Sequence, residues 1–161
     1  MKKFSTADLC DQNLSVKAAQ PIFKIFGKTE IFCGKIRTVK VFEDNSYVKN
    51  LIEEKVGGDV MVIDGGGSLN CALLGDNLAK KAEENGWSGF IINGCIRDSS
   101  IIKNINIGIK ALNTCPKKSI KNNKGEYKED LEFAGIIFKN NWYVYSDTDG
   151  VVISEDKLAD E

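Results

Sequence analysis

Hydrophobic and polar residues alternate in two different ways in the middle of the chain. Val60–Ile63 and Gly89–Ile92 are short, largely apolar runs that end in polar, glycine-containing turns, as expected of buried strands. Between them, Asp76–Asn85 has apolar residues on one side and charged residues elsewhere, which predicts an amphipathic helix that ends at Gly86. Strand, helix and strand in this order predict a βαβ unit with parallel strands.

Shorter elements are expected on both sides of this unit. Thr6 is a plausible N-cap of a short helix, Ile31–Val41 has a strand period, and Ser46–Val56 has a helical one. The strands expected later in the chain are Ile105–Leu112, Phe133–Phe138, Trp142–Tyr145 and Val151–Ser154. Asn140–Asn141 is a hairpin signal that leads into the third of these strands. We expect one α/β domain that spans residues 1–161.

The composition is that of an ordinary globular protein and narrows the range of partners. The chain has 161 residues, of which 42% are hydrophobic and 28% are charged, and its formal net charge is −1. A net charge so close to zero does not indicate the basic surface that binds nucleic acid. No apolar run approaches the roughly 20 residues of a membrane span, and the N-terminus lacks a signal-peptide pattern. We therefore expect a cytoplasmic protein that binds neither nucleic acid nor membrane.

The absence of histidine removes several kinds of catalytic site. Ser-His-Asp and Cys-His nucleophilic catalysis, histidine acid–base catalysis and typical zinc sites all require that residue. The five cysteines form no C-x-x-C pair and are interpreted as free thiols, with Cys95 as a small core residue. A metal would have to be a hard cation held by carboxylates and water, which favours Mg²⁺ or Mn²⁺.

Polar residues that could form a site gather at one edge of the predicted sheet. Ligands of open α/β sheets bind beyond the carboxyl ends of the strands. Asp64 leaves one such end, Arg97 and Asp98 leave the other, and the helix begins on the same edge at Gly75–Leu78. The free N–H groups at the start of this helix suit an anion such as a carboxylate.

Each of these features also has a purely structural explanation. Arg97 and Asp98 could form an exposed salt bridge, and Asp76 could simply stabilise the helix dipole. Asp64 and its three following glycines could be only a tight turn, since neither a Walker loop nor G-x-G-x-x-G occurs. A further set of basic residues is interpreted as a solvated loop, with binding through a basic patch as the alternative: Lys117, Lys118, Lys121 and Lys124.

The chain nevertheless resembles a known family over nearly its whole length. The resemblance lies in TADLCD (6–11), FCGKIRTVKVFEDN (32–45), VIDGGGS (62–68) and DTDGVVIS (147–154). The family is named after the regulator of ribonuclease activity A and includes class II 4-hydroxy-4-methyl-2-oxoglutarate aldolases. The signature of its aldolase members is an aspartate, twenty residues, then Arg-Asp. Asp76, Arg97 and Asp98 match that spacing.

The resemblance implies a fold and a role for each residue of this signature. The fold is a swivelling β/β/α domain, assembled as a homotrimer with active sites at the subunit interfaces. Asp98 binds a divalent metal, largely through waters, and Asp76 orients a metal-bound water. Arg97 contacts the keto oxygen and the developing enolate. The carboxylate of the substrate is held by the backbone amides of Gly75, Asp76, Asn77 and Leu78.

Two functions follow from the resemblance. The first is metal-dependent retro-aldol cleavage of a small 2-oxo acid to pyruvate, with oxaloacetate decarboxylation through the same enolate as a side activity. The alternative is regulation of RNA decay by binding and inhibiting ribonuclease E. Aldolase members also use an acidic residue from a neighbouring subunit. Glu155, Asp156 and Glu161 are the candidates for it in this chain.

Overall fold

The computed structural model describes residues 4–158, so Glu161 lies outside the described residues. In that range the chain forms the helices α1 Thr6–Gln12, α2 Ser46–Ile52, α3 Asp76–Glu84 and α4 Ser99–Ile102. Helix α3 confirms the predicted amphipathic helix, and its Ala79 and Ala82 are buried. None of the helices among residues 4–158 is long and apolar enough to cross a membrane.

The strands of the described chain form one large mixed sheet and a separate small one. They are β1 Lys17–Ala18, β2 Lys24–Ile25, β3 Phe32–Lys40, β4 Val60–Asp64, β5 Ala72–Leu74, β6 Gly89–Ile96, β7 Gly108–Thr114, β8 Glu126–Tyr127, β9 Leu131–Phe133, β10 Ile136–Phe138, β11 Tyr143–Ser146 and β12 Val151–Ser154. The large sheet has the order β1-β12-β11-β3-β4-β6-β7-β2, with β5 beside β6 and β8 beside β3. Strands β9 and β10 pair only with each other.

The parallel strands at the centre of the sheet bury both of their faces. Successive side chains of a strand point to opposite faces. Met61 and Ile63 accordingly join the core that contains the apolar residues of α2 and α3. Val60 and Val62 join the other core, which contains the β9–β10 hairpin and residues of β11 and β12. The result is a mixed α/β fold in which helices cover one face of the central sheet and strands cover the other.

The predicted βαβ unit is present, but it contains one strand more than the sequence indicated. Strands β4 and β6 are parallel neighbours, with Val62 opposite Ile91, as predicted. Strand β5 lies between β4 and α3 in the sequence and pairs in parallel with β6. It has only three residues, which is too short to give a periodic signal.

Two further predictions about local structure are wrong. Ser5, not Thr6, is the N-cap of α1, because the Ser5 hydroxyl accepts the hydrogen bond from the Asp8 N–H. Phe133–Phe138 is not one strand, since Ala134 and Gly135 have positive φ angles of 53° and 75° and reverse the chain into a hairpin. The strand after Asn140–Asn141 then pairs with β3 and β12 rather than with its predecessor.

Candidate active site

The short strand β5 places the two halves of the signature next to each other. Leu74, its last residue, lies opposite Ile96, the last residue of β6. The Arg97 N–H donates a hydrogen bond to the Leu74 carbonyl over 3.0 Å, which fixes the two carboxyl ends in register. Gly75 and Asp76 follow β5, so they lie beside the residues that follow β6. The spacing of the signature is therefore the length of chain needed to go from one strand end, through α3, to the neighbouring strand end.

Asp98 adopts the conformation that turns its carboxylate towards the start of α3. Its φ and ψ angles are 58° and 38°, in the left-handed region that aspartate tolerates better than most residues. Its Oδ2 atom accepts a hydrogen bond from the Asp76 backbone N–H over 3.2 Å. A Cβ atom on Gly75 would lie 2.8 Å from that oxygen and 3.5 Å from Arg97 Nε. Only glycine leaves room for the Asp98 carboxylate in this arrangement.

These residues line a surface cavity of about 240 Å³ at the carboxyl edge of the sheet. Six of the residues that the sequence placed in the site contribute to its wall: Gly75, Asp76, Asn77, Leu78, Arg97 and Asp98. Gly75 is the N-cap of α3 and lines the cavity together with Asp76, Asn77 and Leu78, so the N-terminus of the helix lies at this wall. A helix of this length with its N-terminus at a cavity is suited to a carboxylate ligand.

The rest of the lining includes residues that sequence reasoning did not place in the site. Asn45 and Lys49 come from the start and middle of α2, and Lys118, Ser119 and Lys121 come from the segment before β8. The lysine-rich segment was interpreted as a solvated loop; Lys118 and Lys121 are indeed exposed, but both also line the cavity. The signal that could have found them is the density of lysines, but nothing in the sequence shows that this segment crosses the sheet edge.

The charge of the cavity favours an anionic ligand. Its lining contains four cationic side chains, Lys49, Arg97, Lys118 and Lys121, against the two carboxylates of Asp76 and Asp98. The Asp76 carboxylate is also 3.8 Å from the Nζ atom of Lys80, one turn along α3. An excess of positive charge in a concave site raises the local concentration of anionic substrates.

Asp64 does not share this cavity, although it leaves a neighbouring strand on the same edge. It lines a different cavity together with Phe42 and Gly66. Its Oδ1 accepts hydrogen bonds from the Gly66 N–H and the Asn93 side chain, over 2.9 and 3.0 Å. The structural explanation, a tight turn, therefore accounts for Asp64. Cys95 is fully buried, as expected of a core residue, and burial raises the pKa of its thiol.

The cavity offers a cation two carboxylates, those of Asp76 and Asp98. The described residues contain no group of three or more histidine, cysteine, aspartate or glutamate side chains placed to hold a metal. A cation at Asp98 would therefore have few protein ligands and would complete its coordination with water and substrate oxygens. Mg²⁺ is commonly bound in this way, through one or two carboxylates and several retained waters.

Comparison with known proteins assigns the chain to a family. The family model described as Aldolase/RraA matches residues 6–153, which includes the whole cavity. The chain belongs to the RraA-like family. A relative from Bacillus cereus, provisionally named as a 4-hydroxy-4-methyl-2-oxoglutarate aldolase, is 52% identical over 96% of this chain and 98% of its own.

Two solved structures with different names have the same fold as this chain. The RNA-processing inhibitor RraA from Thermus thermophilis has a TM-score of 0.95 and 39% identity, covering 98% of this chain and 96% of its own. A Geobacillus kaustophilus structure named as an S-adenosylmethionine:2-dimethylmenaquinone methyltransferase has a TM-score of 0.94 and 47% identity, covering 96% and 97%. These names describe three different activities, so the function of this chain has to be argued from its site.

Proposed function

We propose that this RraA-like protein is a divalent-metal-dependent carbon–carbon lyase that cleaves 4-hydroxy-4-methyl-2-oxoglutarate to pyruvate. The observation that carries the proposal is the meeting of Asp76, Arg97 and Asp98 in one cavity at the start of α3. The provisional names of relatives at 44–52% identity point to the same reaction.

The residues of α3 and Arg97 bind and orient the substrate. The N–H groups of Gly75–Leu78 donate hydrogen bonds to its C1 carboxylate, and the helix dipole favours that negative charge. The Arg97 guanidinium donates hydrogen bonds to the C2 keto oxygen, on which negative charge develops during cleavage. Its effect is largest in the transition state, because the enolate oxygen carries more charge than the ketone oxygen.

Bond cleavage needs one proton acceptor and one electron sink. A water oriented by Asp76 takes the proton of the C4 hydroxyl, which becomes a carbonyl as the C3–C4 bond breaks. The electron pair of that bond moves into the C2–C3 enolate beside Arg97. Protonation at C3 then gives pyruvate, and the C4 fragment leaves as a second pyruvate. Oxaloacetate decarboxylation forms the same enolate with CO₂ as the leaving group.

Asp98 is the residue that holds the divalent cation in this proposal, with Mg²⁺ or Mn²⁺ as the cation. When bound, the cation acts as a Lewis acid for the carboxylate and keto oxygens of the substrate. The Asp76 N–H restrains Asp98 Oδ2, so the carboxylate is held in one orientation before the cation binds. Such preorganisation limits the reorganisation needed during the reaction.

The test is release of pyruvate from 4-hydroxy-4-methyl-2-oxoglutarate, followed with lactate dehydrogenase and NADH. We expect NADH oxidation when Mg²⁺ or Mn²⁺ is supplied, and loss of the signal with excess EDTA. Added pyruvate must still be reduced in the EDTA sample, which shows that the coupling enzyme works. A folded, metal-supplied protein that releases no pyruvate would contradict the proposed activity.

Regulation of RNA decay is the second candidate, and the similarity to the Thermus RNA-processing inhibitor favours it. In this role the chain binds ribonuclease E and reduces its cleavage of RNA. Co-purification with ribonuclease E at near-physiological salt is expected if it holds. The absence of a complex at micromolar concentrations of both proteins would contradict it. The two roles do not exclude each other.

Three finer features complete the proposal. The layers of helices, central sheet and β9–β10 hairpin support a swivelling β/β/α domain over residues 1–161.

We also propose a cytoplasmic homotrimer, in which a neighbouring subunit supplies an acidic residue to the cavity. Glu155 and Asp156 follow β12, are both exposed, and remain candidates for that residue. Light scattering that gives three chain masses is the expected result.

A further inference from the structure

A second cavity opens where two strands pair in succession with the same edge of β3. Strand β11 pairs with β3 as far as Lys35, and β8 pairs with it from Val39 onwards. Between these two pairings no strand of the described chain lies against that edge, and a cavity of about 270 Å³ begins there, at Arg37 and Thr38. Sites for small molecules commonly measure about 300–1,000 Å³. The cavity shares no lining residue with the one at the start of α3.

Two polar groups in the lining of this cavity have hydrogen-bonding capacity that the fold does not use. Thr38 is only 2% exposed, yet its Oγ1 atom makes no hydrogen bond to any residue of the range 4–158. The Thr38 N–H donates to Asn140 Oδ1 over 3.0 Å, so the Asn140 NH₂ group points away from that N–H, and it has no partner in the same range. Buried polar groups without partners are rare in folded proteins, and a bound ligand is one explanation for them.

Two apolar side chains line the same cavity. Leu51 belongs to α2, and Tyr127 belongs to β8. The Tyr127 ring stacks on Tyr47 with the ring centroids 4.6 Å apart, and the Tyr127 hydroxyl donates to the Tyr47 carbonyl over 2.8 Å. The ring is therefore held in place before a ligand binds, which lowers the entropy cost of binding. A fixed aromatic ring near an aliphatic side chain favours a flat, partly apolar ligand.

The charges around the cavity favour a neutral ligand. Arg37 lines it, but its guanidinium is bound to two carboxylates, Glu54 over 2.6 Å and Asp59 over 3.3 Å. The guanidinium also lies 5.8 Å from the centroid of the Trp87 ring. Among the described lining residues, this leaves the exposed Lys128 as the one cation that no carboxylate balances. A single exposed lysine gives an anion little binding energy.

We propose that this cavity binds a neutral heteroaromatic ring with a hydrogen-bonding edge, the chemistry of a nucleobase or nucleoside. The ring packs against Leu51 and Tyr127, and its polar edge meets the Thr38 hydroxyl and the Asn140 NH₂ group. A hydroxyl both donates and accepts, and an amide NH₂ group donates, so the pair suits the neighbouring carbonyl and nitrogen groups of such a ring. This site is separate from the proposed lyase chemistry and does not depend on it.

The test is titration of the isotope-labelled, full-length protein with adenosine, guanosine, cytidine and uridine. Two-dimensional NMR of the backbone amides reports where each nucleoside binds. We expect at least one of the four to give saturable shifts in the amide signals of Thr38, Tyr127 and Asn140. The absence of a saturable shift at millimolar nucleoside, or shifts confined to Gly75–Leu78 and Arg97, would overturn the site.

Thr38→Val distinguishes a ligand contact from a contribution to the fold, because valine keeps the shape of threonine and removes only the hydroxyl. We expect this variant to bind the nucleoside about tenfold more weakly, as for other lost hydrogen bonds. Its melting temperature should equal or exceed that of the wild type, since an unpartnered buried hydroxyl is removed. Tyr127→Leu, at a position that is 37% exposed, removes the aromatic ring and should also weaken binding.

Thr29→Val is the matched control, because the Thr29 hydroxyl donates to Asn106 and Thr29 lines neither cavity. We expect it to bind the nucleoside as tightly as the wild type does. Wild-type affinity in both Thr38→Val and Tyr127→Leu, or an equal loss of affinity in Thr29→Val, would overturn the proposed site.

Discussion

The backbone N–H of Asp76 donates a hydrogen bond to the Asp98 carboxylate across 22 positions of the chain, over 3.2 Å. This contact joins the first residue of α3 to the left-handed residue that follows Arg97. It exists because β5 and β6 end side by side, so that both strand ends reach the same cavity wall. The signature is thus a cluster in space, and its members should be sensitive to changes that alter the geometry of the strand ends.

Two replacements of Asp98 distinguish the role of its charge from the role of its backbone conformation. Asp98→Asn keeps a residue that tolerates the left-handed region, but it removes the negative charge that the cation needs. We expect a loss of metal-dependent pyruvate release by about 100-fold or more, with the melting temperature close to that of the wild type. Asp98→Ala should lose activity as well and should also be less stable, because alanine is strained at this φ.

Activity in Asp98→Asn equal to that of the wild type, at the same Mg²⁺ concentration, would show that Asp98 does not hold the cation. A variant that needs much more Mg²⁺ for the same rate agrees with the proposal. Metal titrations of the steady-state rate distinguish these outcomes.

Gly75→Ala tests the close packing at the start of α3. The new Cβ would lie 2.8 Å from Asp98 Oδ2, a distance that forces the carboxylate or the helix start to move. We expect activity to fall by about tenfold or more, since small misplacements of reacting groups are costly. Wild-type activity in Gly75→Ala would show that the observed Asp98 geometry is not required.

The site could be predicted from the sequence where its residues follow regular elements. The two apolar runs and the amphipathic helix were long enough to predict parallel strands with a crossover, and this topology alone placed Asp76 and Arg97 on one edge. The strand that brings them into contact was missed. With three residues, β5 has no period to detect, and the Leu74 backbone bond that fixes the register is invisible in a sequence.

The position of Lys118 and Lys121 in the cavity lining could not be predicted because it depends on long-range contacts. Lys118 and Lys121 are exposed and polar, so their sequence is typical of a solvated loop. They reach the cavity because Asp44, almost eighty residues earlier, binds the backbone of Asn122 and Lys124. A short Asp-Asn-Ser sequence gives no indication of such a distant partner. Turn residues in a sequence indicate the local backbone geometry, but they do not indicate which distant segment their side chains bind.

A second buried carboxylate gives the fold a defined response to acid. Asp147 accepts hydrogen bonds from the N–H and hydroxyl of Thr6, both 2.7 Å, and from the N–H of Asp149 and Gly150. Burial alone would raise the pKa of Asp147, but these hydrogen bonds together hold it below its ordinary value. The charged form therefore stabilises the folded protein above the pKa of an unfolded aspartate, which is about 3.9.

This stabilisation should be lost as the pH falls through the lowered pKa of folded Asp147. Asp147→Asn should reduce the free energy of unfolding by about 1–3 kcal/mol at pH 7, and the difference from wild type should shrink below about pH 4. Urea unfolding at pH 7 and below about pH 4 measures this difference in the free energy of unfolding. Asp149→Asn is the control, since that side chain is exposed. A difference that grows on acidification would contradict the assignment.

The most direct test of the proposed chemistry is oxaloacetate decarboxylation by wild type and Arg97→Ala, each with Mg²⁺ and with EDTA. This reaction needs only the enolate, so it tests the cluster of Asp76, Arg97 and Asp98 without requiring the natural substrate. We predict decarboxylation by the wild type with Mg²⁺ at a rate about 100-fold or more above the other three samples. Equal rates in all four samples, each corrected for spontaneous and free-metal decarboxylation, would contradict the enolate site.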